Sequence, residues 1–168
     1  MADNNQLSQQ DYVKKCKKAA QQGHVIAQNT LGFLYLNGQG VDKDYTEAVK
    51  WYRRAAEQGY DVAQFNLAIM YKLGNGVEQN QSHALKWMTA AAEQGHADAQ
   101  SNLGNMYYQG LAVMQDYAQA YLWWLLAEKN GAKDIEHNKE EIIKKMHDSQ
   151  IKNAEELAKV WLEKNGKP

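Results

Sequence analysis

The residues of this chain best suited to chemistry are few and scattered. Ser149-Gln-Ile-Lys152 matches Ser-x-x-Lys, the nucleophile motif of serine β-lactamases, but the companion motifs Ser-Asp-Asn and Lys-Thr-Gly are absent. Two fixed positions in four arise easily by chance, and Ser149 reads better as the N-cap of a helix. His24 and His96 hold the same place in two different copies of a repeat. His83, His137 and His147 have no ligand at paired spacing, and no His-x-x-x-His occurs. The one cysteine, Cys16, excludes an internal disulfide. No glycine-rich segment follows a strand pattern, so Gly38-Gln-Gly40 reads as a turn and not as a phosphate cradle. These patterns predict no catalytic residue, no metal site and no cofactor.

What would position such residues is far more regular. Gly23, Gly59, Gly95 and Gly131 stand 36 residues apart, with no insertion between them. A fixed period of that size is the signature of stacked helical repeats. Within each copy one apolar stripe runs at i, i+4, i+8: Ala27, Leu31, Tyr35; Ala63, Leu67, Tyr71; Ala99, Leu103, Tyr107. Gly32, Ala68 and Gly104 follow the leucines, where a side chain larger than methyl would hold paired helices apart. A turn follows, Gly38-Gln-Gly40-Val41 and Gly74-Asn-Gly76-Val77, whose glycines permit positive φ. The third version, Gly110-Leu-Ala112-Val113, keeps one glycine. Asp44, Asn80 and Asp116 then cap a second helix carrying Ala48, Trp51, Ala55; Ala84, Trp87, Ala91; or Ala120, Trp123, Ala127. The tryptophans are expected to fill the space between repeats, leaving Trp124 partly exposed.

The ends depart from the period. Residues 1–7 are polar and expected to fray. Ser8 is placed as the cap of a helix reaching about Gln22, with Tyr12, Cys16, Ala19 and Ala20 on its packed face. Lys14, Lys15, Lys17 and Lys18 read as its solvated face. After Gly131, a charged helix from Lys133 to about His147 has Ile135, Ile142, Ile143 and Met146 as its apolar positions. Asp148 or Ser149 caps a last helix with a stripe of Ile151, Ala154, Leu157, Ala158 and Trp161, and Gly166 and Pro168 end the chain. Such atypical ends shield a stack from water. The reading is one all-α domain over 1–168: a capping helix (8–22), three repeats (23–58, 59–94, 95–130) and a C-terminal helix pair (131–168).

Residues 27–59 carry Ala-x-x-x-Leu-Gly-x-x-Tyr-x-x-Gly-x-Gly-Val-x-x-Asp-x-x-x-Ala-x-x-Trp-Tyr-x-x-Ala-Ala-x-x-Gly. This resembles the Sel-one-like repeat, a cousin of the tetratricopeptide repeat. The second copy differs at Ala68, Asn80 and Met88, the third at Ala112, Trp124 and Glu128. Asp148 to Trp161 also looks like the helix that closes many bacterial members. The resemblance implies an all-α, right-handed superhelix (a solenoid) of αα-hairpins. It implies adaptors and scaffolds of protein complexes, and in bacteria host-interaction and toxin-immunity proteins. A cysteine-rich branch of the family is associated with penicillin binding and β-lactamase activity, which makes a hydrolase the alternative. That branch pairs cysteines within each repeat; here Cys16 is alone.

A superhelix of helix pairs presents a concave face made by the first helix of each pair. Positions −1, +2, +6, +9 and +10 from the stripe alanine should line it. These are Ile26, Asn29, Phe33, Leu36 and Asn37; Val62, Phe65, Ile69, Lys72 and Leu73; and Asp98, Ser101, Asn105, Tyr108 and Gln109. Phe33, Leu36, Phe65, Ile69 and Leu73 are apolar where solvent favours polar groups. They either await a partner or pack on one another and on the capping helix. The expected partner is a protein or peptide. A formal charge of −1 gives no whole-chain pull toward nucleic acid, and no apolar run approaches the roughly 18 residues of a membrane span. A monomer is expected. As written the chain shows no leader and suits the cytoplasm, or the periplasm or exterior if a leader has been removed.

Overall fold

Helix punctuation sets the architecture. The computed structural model describes residues 2–165, with side chains from Gln9 onward. Among them are nine α-helices and no strand: α1 (Ala2–Gln21), α2 (Val25–Asn37), α3 (Tyr45–Glu57), α4 (Asp61–Leu73), α5 (Gln81–Glu93), α6 (Ala97–Gln109), α7 (Tyr117–Lys129), α8 (Glu136–Ile143) and α9 (Asp148–Asn165). The fold is all-α and built of helix-turn-helix repeats. Contacts gather into two compact units that divide within α5, Met1–Ala84 and Leu85–Pro168.

Each hairpin closes by the same hydrogen bonds. Gly38, Gly74 and Gly110 leave their helices in the left-handed conformation, each N–H bonding back to a carbonyl of the last turn, that of Leu34, Met70 or Met106. The next helix opens on a capping side chain. Asp44 Oδ1 accepts from the Thr46 and Glu47 amides at 2.8 and 3.0 Å, Asn80 Oδ1 from His83 at 2.9 Å, and Asp116 Oδ1 from Gln119 at 3.0 Å. Each such cap contributes about 1 kcal/mol. At Gly76 a Cβ would lie 2.3 Å from the Tyr45 carbonyl group, so glycine is required sterically as well as conformationally. The third turn does without its second glycine, and Ala112 stands at φ 60° in the region that disfavours a Cβ.

In the first unit α1, α2 and α3 meet around Val13, Ala20, Leu31, Leu34 and Trp51. In the second, Ala120, Tyr121, Trp124 and Ala127 of α7 pack with Ile135, Ile142 and Ala154. Leu31, Leu67 and Leu103 are all buried, each stabilising by about 2 kcal/mol. Three buried glutamines, one per repeat, bridge helices. Gln28, Gln64 and Gln100 donate from Nε2 to the carbonyls of Ala20, Ala56 and Ala92 at 3.1, 3.3 and 3.0 Å. Gln28 Oε1 accepts from Gln58 at 2.6 Å, and Gln100 Oε1 from Asn130 at 2.9 Å. α2 and α6 are thereby tied both to the helix before them and to the second helix of their own hairpin, and α4 to the helix before it.

Several expectations need correction. Trp124 is buried, at 1% exposure, and Trp123 is the half-buried one of the pair. The reason is the glycine opposite it on α6: a Cβ on Gly104 would meet Trp124 Cδ1 and Nε1 at 2.5 Å, so the indole fills the space glycine leaves. Gly32 does the same for Tyr52, where a Cβ would lie 2.7 Å from the ring. Even a methyl is too large at both places, a tighter limit than the sequence suggested. In the sequence of the middle copy the same two positions hold Ala68 and Met88, a methyl opposite a flexible thioether.

The terminal helices also differ. α1 begins at Ala2 and not after Ser8, whose side chain lies outside the described residues; its packed residues are Val13 and Ala20, with Tyr12 turned out to 51% exposure. α8 is shorter than expected, and Ile143 is exposed while Ile135 and Ile142 are buried. Neither Asp148 nor Ser149 caps α9, which starts at Asp148; the side chain of Gln150 reaches back to the His147 amide at 3.0 Å. On α9 the buried positions are Ala154 and Ala158, and Leu157 is exposed. Gly166 and Pro168 lie outside the described residues.

Candidate functional site

The face predicted on the first helices can be followed within each unit. In the first unit Asn66 Nδ2 of α4 donates to Asn29 Oδ1 of α2 at 3.2 Å, which fixes those helices side by side. Around that bond the apolar residues stay open: Ile26 is 65% exposed, Phe33 47% and Leu73 58%. Leu36, Phe65, Ile69, Lys72 and Val62 are half-buried. Asn37 returns its amide to the Phe33 carbonyl at 2.9 Å, as a helical asparagine facing water commonly does. Three large apolar side chains on the first helices of successive repeats, α2 and α4, present surface that water does not favour. Neither packing on one another nor the capping helix removes it.

The second unit treats the same positions differently. Tyr108 of α6 is half-buried, its ring centroid 5.7 Å from those of both Tyr117 and Trp124. Lys145 Nζ donates to the Tyr108 hydroxyl at 2.8 Å, and that bond holds the lysine pKa above its ordinary value. Ser101 contributes its carbonyl, which accepts from Trp124 Nε1 at 3.2 Å. Asn105, Tyr108 and Gln109 share a depression of about 220 Å³ with Trp124 and with His137, Asn138 and Glu141 of α8. The α8 residues were not foreseen, because their run of charges reads as plain solvated helix. Asp98 and Gln109 are exposed.

Elsewhere α8 is pinned by charge. Lys139 Nζ lies 2.8 Å from Glu128 Oε1 of α7 and 3.0 Å from Glu136 Oε2. Lys139 holds the Glu128 carboxyl below its usual range, against an opposing effect of burial. Burial alone would lower the Lys139 pKa, but the two carboxylates outweigh it and raise it. Flanking α9 are two largely apolar depressions. One of about 510 Å³ is lined by Leu125, Ala158 and Leu162 among others; the other, of about 270 Å³, by Trp123, Leu157, Val160 and Trp161.

The chemical candidates do not converge. Ser149 and Lys152 are exposed on the first turn of α9. His96 Nδ1 accepts from the Ala99 amide at 3.3 Å and caps α6, a structural use of the repeated histidine position. Cys16 is a half-buried free thiol. Among the described residues no three His, Cys, Asp or Glu side chains are grouped to hold a metal ion. No described helix is long and apolar enough to cross a membrane.

Comparison with known proteins agrees with the hairpin architecture. The Sel1 repeat matches three times, over residues 25–60, 61–96 and 97–131. The chain is similar to the crystal structure of a Sel1 repeat protein from Oxalobacter formigenes: 37% identity, 73% of this chain and 54% of that one, TM-score 0.65. It is also similar to c5321, a protective antigen present in uropathogenic Escherichia coli strains and displaying an SLR fold. There the identity is 30% over 91% of this chain and 41% of that one, with a TM-score of 0.62. The chain thus spans about half or less of the length of these two structures. No curated protein matches significantly. Repeats of this kind generally mediate protein–protein interaction and are typically non-catalytic scaffolds. With three matched copies covering well over half its residues, the chain belongs to the Sel1 repeat family.

Proposed function

We propose that this chain is a non-catalytic interaction module that grips a peptide or the surface of a partner protein with the α2–α4 face of its first unit. The observation that carries the reading is the open patch of Ile26, Phe33 and Leu73 around the Asn29–Asn66 bond. Burying it would recover about 2 kcal/mol for each large side chain, the scale of an interface anchor. Asn29, Leu36, Asn37, Phe65, Ile69 and Lys72 complete the surface; Ser101, Asn105 and Tyr108 belong to the corresponding face of the second unit. In a bacterium such a module serves as a toxin-immunity or host-interaction protein. The immunity version further requires a cognate toxin bound tightly, one to one.

The test is capture of partners from the native host, identified by mass spectrometry. Phe33→Ala with Phe65→Ala should abolish capture while circular dichroism shows unchanged helicity; retained capture moves the site elsewhere. A β-lactamase-like hydrolase is the competing reading. It requires nitrocefin turnover that disappears in Ser149→Ala, and the proposal expects no turnover in either protein.

A further inference from the structure

The depression between α6 and α8 presents polar groups that the fold leaves without partners. Three helical asparagines elsewhere return their amide to the carbonyl four residues earlier: Asn37 to Phe33 and Asn102 to Asp98, both at 2.9 Å, and Asn165 to Trp161 at 3.0 Å. For Asn105 that carbonyl belongs to Ser101, which already accepts from Trp124 Nε1 at 3.2 Å. With the helical N–H as second donor, both lone pairs are taken. The Asn105 carboxamide makes no such bond and lines the depression. Asn138 lines it from α8, and both residues are half-buried. Neither carboxamide makes a hydrogen bond to another described residue.

The charged groups nearby are already engaged. Glu141 Oε1 lies 2.6 Å from Lys144 Nζ, and Lys145 donates to the Tyr108 hydroxyl. What remains open, beside the exposed His137 imidazole, is neutral donor-and-acceptor capacity next to the Tyr108 and Trp124 rings. A carboxamide offers one C=O and one NH₂ side by side, the complement of the main-chain N–H and C=O that one residue of an extended strand turns to the same edge. Some 220 Å³ holds little more than one such residue with a small side chain.

We propose that this depression is a subsite for the main-chain N–H and C=O of one residue of an extended ligand, held by the carboxamides of Asn105 and Asn138. The inference rests on the peptide-binding reading above but concerns a different unit and different chemistry: backbone recognition, where the α2–α4 face takes apolar side chains. Binding here tolerates varied sequence and demands an unmodified amide.

The test selects binders from a random twelve-residue phage-displayed library twice, against the unaltered protein and against Phe33→Ala/Phe65→Ala. The second selection removes peptides held by the first unit. For the best peptide from it, Asn105→Ala and Asn138→Ala should each weaken binding about tenfold, the loss of one or two neutral hydrogen bonds. Asn102→Ala should change it less than about twofold. Methylating one backbone nitrogen of the peptide should cost a similar factor, and the methylated peptide should no longer sense the asparagine variants. Because that scan alters the ligand and not the protein, a misfolded variant cannot imitate the result. Binders insensitive to both asparagines and to every N-methyl group overturn the subsite and leave the interaction module standing. So does a selection that succeeds only with the unaltered protein. Recovery of no peptide by either protein sinks both.

Discussion

The two units put the same helix positions to opposite uses. On α2 and α4, positions facing away from the core hold Ile26, Phe33 and Leu73, open to water. On α6 they hold Asn105 and Tyr108, beside α8, in a depression with polar walls. Beneath both faces the interior is nearly the same: a buried leucine, a small residue after it, a glutamine reaching back to the preceding hairpin. Packing fixes the interior positions because a lost methylene or a buried unpaired group costs energy at once. The face positions answer only to what binds there. In a repeat protein, differences between copies are therefore the informative residues.

The contrast can be broken most severely at the glycine–ring pairs. Gly104→Ala should destabilise by about 3 kcal/mol in urea unfolding, since its methyl enters the Trp124 ring and threatens the bond to Ser101. Gly32→Ala against Tyr52 should cost about 2 kcal/mol, the buried Tyr52 hydroxyl having no hydrogen bond to lose among the described residues. Pairing Gly104→Ala with Trp124→Met copies the residues of the middle repeat. The double variant should be more stable than Gly104→Ala alone by about 1 kcal/mol or more. An additive result would mean that the two residues do not share one space.

Next in size is Gln100→Ala, which removes a fully buried side chain with its bonds to the Ala92 carbonyl and to Asn130, leaving that carbonyl only the Gly95 amide, and should cost about 2 kcal/mol. Ala112→Gly should instead stabilise by about 0.5 kcal/mol. Relief of the left-handed strain outweighs the freedom glycine adds to the unfolded chain. Both follow from the midpoint of unfolding.

A smaller effect sits at Lys139. The lowered Glu128 pKa means a contribution to stability that is present above the carboxyl's unfolded value, near pH 4.5, and is lost as pH falls through the folded value. Lys139→Met should flatten stability across that acid window: the variant is less stable at neutral pH, and the difference disappears as pH falls through the folded value. Glu128 is more than a third exposed, so solvent screening keeps the difference to a few tenths of a kcal/mol.

Much of the fold was legible because glycine and the capping residues leave unambiguous marks. The 36-residue step, the left-handed glycines and Asp44, Asn80 and Asp116 all reappear in the structure as read. Side-chain choice within a helix was harder. Trp123 and Trp124 are adjacent and equally bulky, and the register of Trp51 and Trp87 pointed to the first; the space beside Gly104 selects the second. The buried glutamines do carry a signal in the sequence, an Ala-Gln pair at positions 27–28, 63–64 and 99–100. A polar residue recurring beside a core alanine marks a bridging hydrogen bond as well as a surface. The α8 contribution to the second face was not legible at all, because His137, Asn138 and Glu141 fit no repeat position and owe their placement to packing of Ile135 and Ile142.

The central claim is that a partner seats on the α2–α4 face. It is tested most directly by placing benzoylphenylalanine at Phe33, and separately at Val160 of α9, then irradiating the native host. The account predicts one discrete crosslinked protein from position 33, lost when Leu73 is replaced by Asp, and none from position 160. Crosslinks from position 160 alone would contradict it.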